Sequence, residues 1–208
     1  MTTIRTAALA LTLIAGCCSF AGAPGNENKT TWQNTVSANV QQLKGEWTGT
    51  CEVQWAKDDV TSTELNVTVK ANDNGGVLFA YDSYARGKSV NGVSNWSVSG
   101  NTLTCNSYDA RSDWQCNFSG TLASSGTDQT LTGTSNNATY TQNIKFKTDG
   151  SCVIECFKTE GTSQQLVMRL TMTRMEEGKI SAASAYLDDA KLLAKVNVKG
   201  ATTASAGE

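Results

Sequence analysis

Reactive chemistry has few footholds in this chain. None of its 208 residues is a histidine, which removes the usual general base and the commonest metal and haem ligand together. Seven cysteines and a scatter of carboxylates remain. Glu52, Asp82, Asp109, Asp113 and Glu155 are the acids on offer, but strand parity turns most of them outward and no two make a pair suited to acid/base work. No catalytic residue, metal site or cofactor is assigned on these grounds, and an enzyme is the weakest of three function classes. The stretches "YDSYARG" (81–87) and "NSYDARSDW" (106–114) combine polar and aromatic residues and mark the best loop-end sites. Solvated turns explain them equally well.

Cys51, Cys105, Cys116, Cys152 and Cys156 lie in the central region, and all five take the inner face of the strands drawn below. A hairpin centred on Ala110 and Arg111 sets Cys105 directly opposite Cys116, with β-carbons roughly 4.5–5.5 Å apart, near enough for a disulfide. That pair is the expected bridge. Cys152 and Cys156 stand about 13 Å apart along one strand, too far to pair with each other, and one of them is expected within reach of Cys51. Metal binding by Cys105, Cys116, Cys152 and Cys156 fits poorly, because the spacing is not that of a zinc knuckle and an oxidising compartment competes for the thiols.

The elements that must position these residues are strands. From Gly45 to Met175, Thr, Ser, Asn and Val dominate, proline is absent, and Gly, Asn and Asp punctuate every 8 to 14 residues or so. Strands are predicted at 46–56, 62–71, 77–86, 93–99, 102–108, 114–122, 129–134, 139–148, 151–159 and 164–175. "NDNGG", "SGN", "SNN" and "DGS" supply turn residues tolerant of positive φ. Short loops favour neighbour-to-neighbour antiparallel pairing, and closing the sheet removes its exposed edges. The expected fold is all-β, a closed antiparallel up-and-down barrel of about ten strands. Trp32, Val36, Val40 and Leu43 recur at helical spacing and predict a short N-terminal helix, while Tyr186, Leu187, Ala190, Leu193 and Ala194 predict a C-terminal helix on the barrel wall or over its mouth.

Alternation sorts the two faces. Trp47, Val53 and Trp55 turn inward on the first strand with Cys51, and Leu65, Val67, Val69, Val77, Phe79, Tyr81, Trp96, Val98 and Leu103 continue the set. Trp114, Phe118, Leu122, Tyr140, Ile144, Phe146, Ile154, Leu166, Met168, Leu170 and Met172 complete it. The interior is therefore apolar and aromatic. Barrels of this size either fill themselves with side chains or hold a guest. If this one holds a guest, Trp55, Phe79, Tyr81, Trp114, Phe118 and Tyr140 at the wide end are the candidate ligand-binding residues.

Compartment comes from the first residues. Arg5 precedes an apolar run from about Ala7 to Ala15 that is far short of the roughly 20 residues a membrane helix needs, so it is an export signal. Ile14-Ala15-Gly16-Cys17 resembles the bacterial lipobox, which implies cleavage before Cys17 and lipidation of that residue; ordinary cleavage near Ser19-Phe20-Ala21 is the rival. The expected layout is a lipoprotein-type signal peptide at 1–16, a tether at 17–31, a barrel at 32–178, a C-terminal helix at 179–198 and a disordered tail at 199–208. The protein is then exported to a bacterial cell envelope and lipid-anchored on the periplasmic side, or alternatively secreted, and it meets the membrane through the anchor only. A net charge of −2 with 17 scattered Lys and Arg supplies no basic field, so nucleic acid is not an expected partner.

Leu43-Lys44-Gly45-Glu46-Trp47, ahead of about ten strands and a last strand "LVMRLTMTRM", resembles the calycin group of lipocalin-like barrels. Within it the chain is most similar to an uncharacterised bacterial family of exported lipocalin-like domains that start with Leu-x-Gly-x-Trp and end on a strand carrying Arg. The resemblance runs from Leu43 to about Met175. It implies that Trp47 plugs the closed end with Arg174 stacked across it, Arg169 being second choice. That is a structural pair and not a catalytic one. Related haem-binding barrels place a His on iron, a route closed to this chain, and biotin-binding barrels need a dense polar ring that the inward positions do not readily assemble.

The leading function is a lipid-anchored binding module for a small apolar or aromatic ligand. The alternative is a structural or interaction protein of the cell envelope, with a side-chain-filled barrel and a partner met through the polar surface or the C-terminal helix.

Overall fold

A computed structural model describes residues 36–196 except 74 and 124. The expectations for the signal peptide, Cys17, the tether and the tail all fall outside the described residues.

Ten antiparallel strands close into one up-and-down barrel: β1 (Gly45–Ala56), β2 (Asp59–Ala71), β3 (Val77–Ala85), β4 (Lys88–Ser99), β5 (Thr102–Asp109), β6 (Trp114–Thr121), β7 (Asp128–Ser135), β8 (Ala138–Phe146), β9 (Cys152–Glu160) and β10 (Ser163–Arg174). Closure runs through β1 and β10, with Cys51 opposite Leu170 and Trp47 opposite Arg174. The turns obey the chemistry of their residues. Arg86 and Gly87 both take positive φ (53° and 73°), as do Asn136 and Asn137 (49° and 61°), the pattern of tight hairpins whose twist suits the flanking strands.

Helix α1 (36–42) stoppers one end of the barrel. Val36, Val40 and Leu43 are buried with Trp47 in the main core, and Asn39 Nδ2 donates to Gly126 O at 3.0 Å across the mouth it covers. The other end is ringed by the β1–β2, β3–β4, β5–β6, β7–β8 and β9–β10 turns and stays open.

Two bulges lie at that open rim, between Gln54 and Ala56 and between Leu166 and Met168. They correct two expectations. Leu166 pairs with Phe157, an outward position, so it leaves the interior where simple alternation had placed it, and Val167 turns towards the mouth instead. Trp55 is itself the extra residue of the first bulge, and it becomes part of the rim.

The C-terminal segment is not one helix. A 3-10 turn (Ala182–Leu187) is followed by α2 (Ala190–Lys195), because Asp189 leaves helical geometry (φ −85°, ψ 101°) and its carboxylate caps Lys191 N and Leu192 N. The segment lies along the outer wall, not over the mouth. Ala183, Leu187 and Val196 cover Ala80, Val93 and Tyr108 in a second apolar cluster, whereas Ala190 and Ala194, expected on the buried face, are exposed. Burying a Leu-sized side chain contributes about 1.5–3 kcal/mol. Polar pins add to it: Ser181 N donates to Glu46 Oε2 at 3.2 Å, Tyr186 donates to Asp82 at 3.0 Å, and Gln115 Nε2 donates to Lys195 O at 2.6 Å.

Candidate functional site

The closed end explains the Gly-x-Trp. Trp47 is buried and its indole N–H donates to Leu43 O at 2.6 Å, at the end of α1. The Arg174 guanidinium lies 4.4 Å above its ring and donates to the carbonyls of Lys44 and Gln42. Gly45 is required between them: its φ is +126°, and a β-carbon there would stand 2.5 Å from Arg174 Nη1. Arg169 has a different task. It faces outward and bridges Glu52 (2.7 Å) and Glu155 (2.8 Å), its neighbours on β1 and β9, with Lys145 joining Glu155 at 3.6 Å.

That ladder also accounts for most of the carboxylates considered as acids. Glu52 and Glu155 sit in it, Asp82 accepts from Tyr186, and Asp113 accepts from Tyr108 (2.9 Å) and Lys195 (3.3 Å). Asp109 differs. It continues the inner face of Leu103, Cys105 and Ser107, and it is buried at the open rim. Its carboxylate accepts from Tyr81 Oη (3.2 Å) and from Ser112 N and Oγ (3.0 and 2.9 Å), with Arg111 Nε 3.8 Å away. Burial first, and the adjacent Asp109 charge second, push the Tyr81 phenol well above its ordinary range, so it stays a neutral donor.

Asp109 sets the register of the cysteine hairpin. By capturing Ser112 it stabilises a turn over residues 110–113, with Asp113 at φ 48°, in place of a tight turn at Ala110 and Arg111. The pairing slips by two residues: Cys105 faces Phe118 and Cys116 faces Ser107. A slip of two keeps both thiols inward but leaves them diagonal, and the expected Cys105–Cys116 disulfide is absent. Cys51 is not bridged either, since Leu170 on β10 separates it from the β9 face that carries Cys152, Ile154 and Cys156. All five described cysteines are free and buried. Burial pushes Cys51 and Cys116 up to about 11, and Cys105, Cys152 and Cys156 up to about 12, so they act as small apolar fillers.

Two connected spaces open from the rim. The outer chamber, about 260 Å³, is walled by Tyr81, Asp109, Arg111, Trp114, Tyr140 and Met168 among others. An inner crevice of about 40 Å³ continues below it and shares Tyr81, Trp114, Cys156 and Met168 as walls. Deeper still it meets Phe79 and Trp96, stacked at 5.7 Å, with Phe118 and Gln142. Five of the six residues singled out in the sequence therefore wall this space: Phe79, Tyr81, Trp114, Phe118 and Tyr140. Trp114 packs edge-on to Tyr140 at 5.0 Å and tilted on Phe118 at 6.1 Å, which lines these three up from rim to floor. Trp55 stands behind the wall. Its indole carries the guanidiniums of Arg111 (4.9 Å) and Arg86 (5.4 Å), so it positions a rim cation.

Sequence reasoning missed the polar walls. Ser94, Ser107 and Gln142 turn inward, with Ser94 and Ser107 hydroxyls 2.9 Å apart and Cys105 Sγ 3.2 Å from Ser107 Oγ. Parity alone puts 94 and 107 beside Trp96 and Cys105, and 142 between Tyr140 and Ile144. A search for bulky apolar residues passes over them. The arrangement can enclose a small, flat, largely apolar molecule and offer it a few hydrogen bonds. No protein-family model matches the chain, and no curated protein matches it at a significant level.

Proposed function

We propose that this protein is a calycin-like binding module that takes a small aromatic or apolar ligand through the open end of its barrel. One observation carries the reading: a chamber and crevice walled by Tyr81, Trp114, Tyr140, Phe118 and Phe79 run inward from the rim while α1 and Trp47 stopper the other end. Outer chamber and crevice together reach the lower end of the roughly 300–1,000 Å³ span of small-molecule sites, so the guest is about the size of one or two aromatic rings. Covering about 250 Å² of apolar ligand surface contributes roughly 6 kcal/mol. Association costs take back part of that, which sets an expected Kd on the order of 10 µM to 1 mM for an unoptimised probe.

The N-terminal features support an exported, lipid-anchored module of a bacterial envelope: the short apolar run and the Ile14-Ala15-Gly16-Cys17 segment. Such an anchor would hold the open barrel near a membrane surface where apolar molecules concentrate. The test is titration with 1-anilinonaphthalene-8-sulfonate, alone and in competition with naphthalene-sized aromatics. Saturable binding is expected, and Met168→Trp, which fills the shared wall, should weaken it by about tenfold or more. Absence of saturable binding, or binding indifferent to that substitution, overturns the proposal.

A further inference from the structure

Five buried side-chain polar atoms have no hydrogen-bond partner among the described residues: Trp96 Nε1, Asn101 Oδ1, Trp114 Nε1, Gln129 Nε2 and Gln142 Oε1. Three of the five, those of Trp96, Trp114 and Gln142, belong to residues that wall the inner crevice. Such groups are ordinarily satisfied, because leaving a buried donor or acceptor unpaired is costly. Their concentration at one empty space says what should occupy it. Trp96 is almost wholly buried and stands beside Cys105 across the β4–β5 pair. Gln142 is over nine-tenths buried, and its side chain hydrogen-bonds the Cys105 thiol, which leaves its carbonyl oxygen free. Trp114 bridges crevice and outer chamber.

Two indole N–H donors and one amide carbonyl acceptor match a single chemical group well. A hydroxyl has two lone pairs to accept with and one hydrogen to give. We infer that the ligand is a hydroxyl-bearing aromatic, a phenol or an aryl alcohol, that enters with its hydroxyl leading, to meet Trp96 Nε1, Trp114 Nε1 and Gln142 Oε1, while its ring stays in the chamber between Trp114, Tyr140 and Met168. The crevice, about 40 Å³, admits the hydroxyl end but not a second ring. This assignment rests on the binding-module reading above and adds the chemical class and the orientation of the guest.

The experiment compares 2-naphthol with 2-methylnaphthalene, which differ by a hydroxyl against a methyl of similar size, both by displacement of 1-anilinonaphthalene-8-sulfonate from the full chain. A purely apolar cavity ranks the methyl compound first, because it loses no water hydrogen bonds on burial. The expected result is the reverse, 2-naphthol binding about tenfold tighter or more. Gln142→Leu and Trp114→Phe should each shrink that preference several-fold and leave 2-methylnaphthalene binding nearly unchanged, both variants being checked for a cooperative thermal transition. Should 2-methylnaphthalene bind as tightly as 2-naphthol, the hydroxyl assignment falls while the binding module stands. Should the preference persist in both variants, the hydroxyl is recognised elsewhere and the assignment also falls. Should neither compound nor the dye bind, the binding reading falls with it.

Discussion

Replacing Arg174 by Met tests whether the closed end is held by the stack on Trp47. Methionine keeps an apolar stem over the indole but removes the guanidinium that lies 4.4 Å above it and the donors to the carbonyls of Lys44 and Gln42. A cation over an indole contributes about 1 kcal/mol, more where water is excluded. The hydrogen bonds to carbonyls at the end of α1, where the helix dipole favours a positive charge, are solvent-facing and add about 1 kcal/mol together. The expected loss is thus roughly 2 kcal/mol, read as a fall in the urea midpoint at unchanged slope. A double-mutant cycle with Trp47→Leu isolates the stack, and a coupling near 1 kcal/mol is expected. Arg174→Lys should recover little, because a point charge cannot lie flat on the ring and reach both carbonyls. Hydrogen exchange of residues 36–43 supplies the local readout and should speed up in the Met variant. A coupling under about 0.3 kcal/mol, the usual limit of additivity, with unchanged exchange in α1, would refute the reasoning.

Two further outcomes follow from the interior. The buried thiols stay neutral in the folded barrel up to about 11 or 12, so the stability they contribute is intact below the unfolded thiol value of about 8.5–9 and is lost as pH rises from there towards the folded values. Each costs on the order of 1 kcal/mol per pH unit in that window; under reducing conditions Tm should fall more steeply above about pH 9 in the wild type than in Cys152→Ala, and equal slopes would contradict this. At Gly92 an added β-carbon would stand 2.4 Å from Tyr108 O and 2.7 Å from the Tyr81 ring. Gly92→Ala should cost about 1–3 kcal/mol through overpacking and dislodge Tyr81 from Asp109, visible as a changed near-ultraviolet circular dichroism spectrum; a spectrum and midpoint like the wild type's would count against the packing described.

Much of the barrel can be read without coordinates, since its information is local. Period-two alternation from Trp47 to Val53, or from Cys152 to Cys156, follows from each strand having one wet and one dry face. Turn residues such as Asn136 and Asn137 advertise the positive φ they adopt. Asp188 and Asp189 carried an equally local signal, a cap in the middle of the expected C-terminal helix, which the apolar spacing overshadowed. Outward apolar residues at Ala80, Val93 and Tyr108 likewise announced a covered wall.

The sequence by itself determined a ten-stranded antiparallel barrel, its inward aromatic set and the absence of histidine chemistry, because composition and parity need no knowledge of what lies across the sheet. Tertiary structure alone decided the register of the Cys105 and Cys116 hairpin, the escape of Leu166 to the outer face and the fate of the five thiols. It also brought the unpaired groups of Trp96, Trp114 and Gln142 around one crevice. Those outcomes depend on a side chain capturing a turn, on an extra residue in one strand and on three strands meeting around a closed cylinder. Each is a long-range cancellation of distances, and spacing along the chain does not encode it.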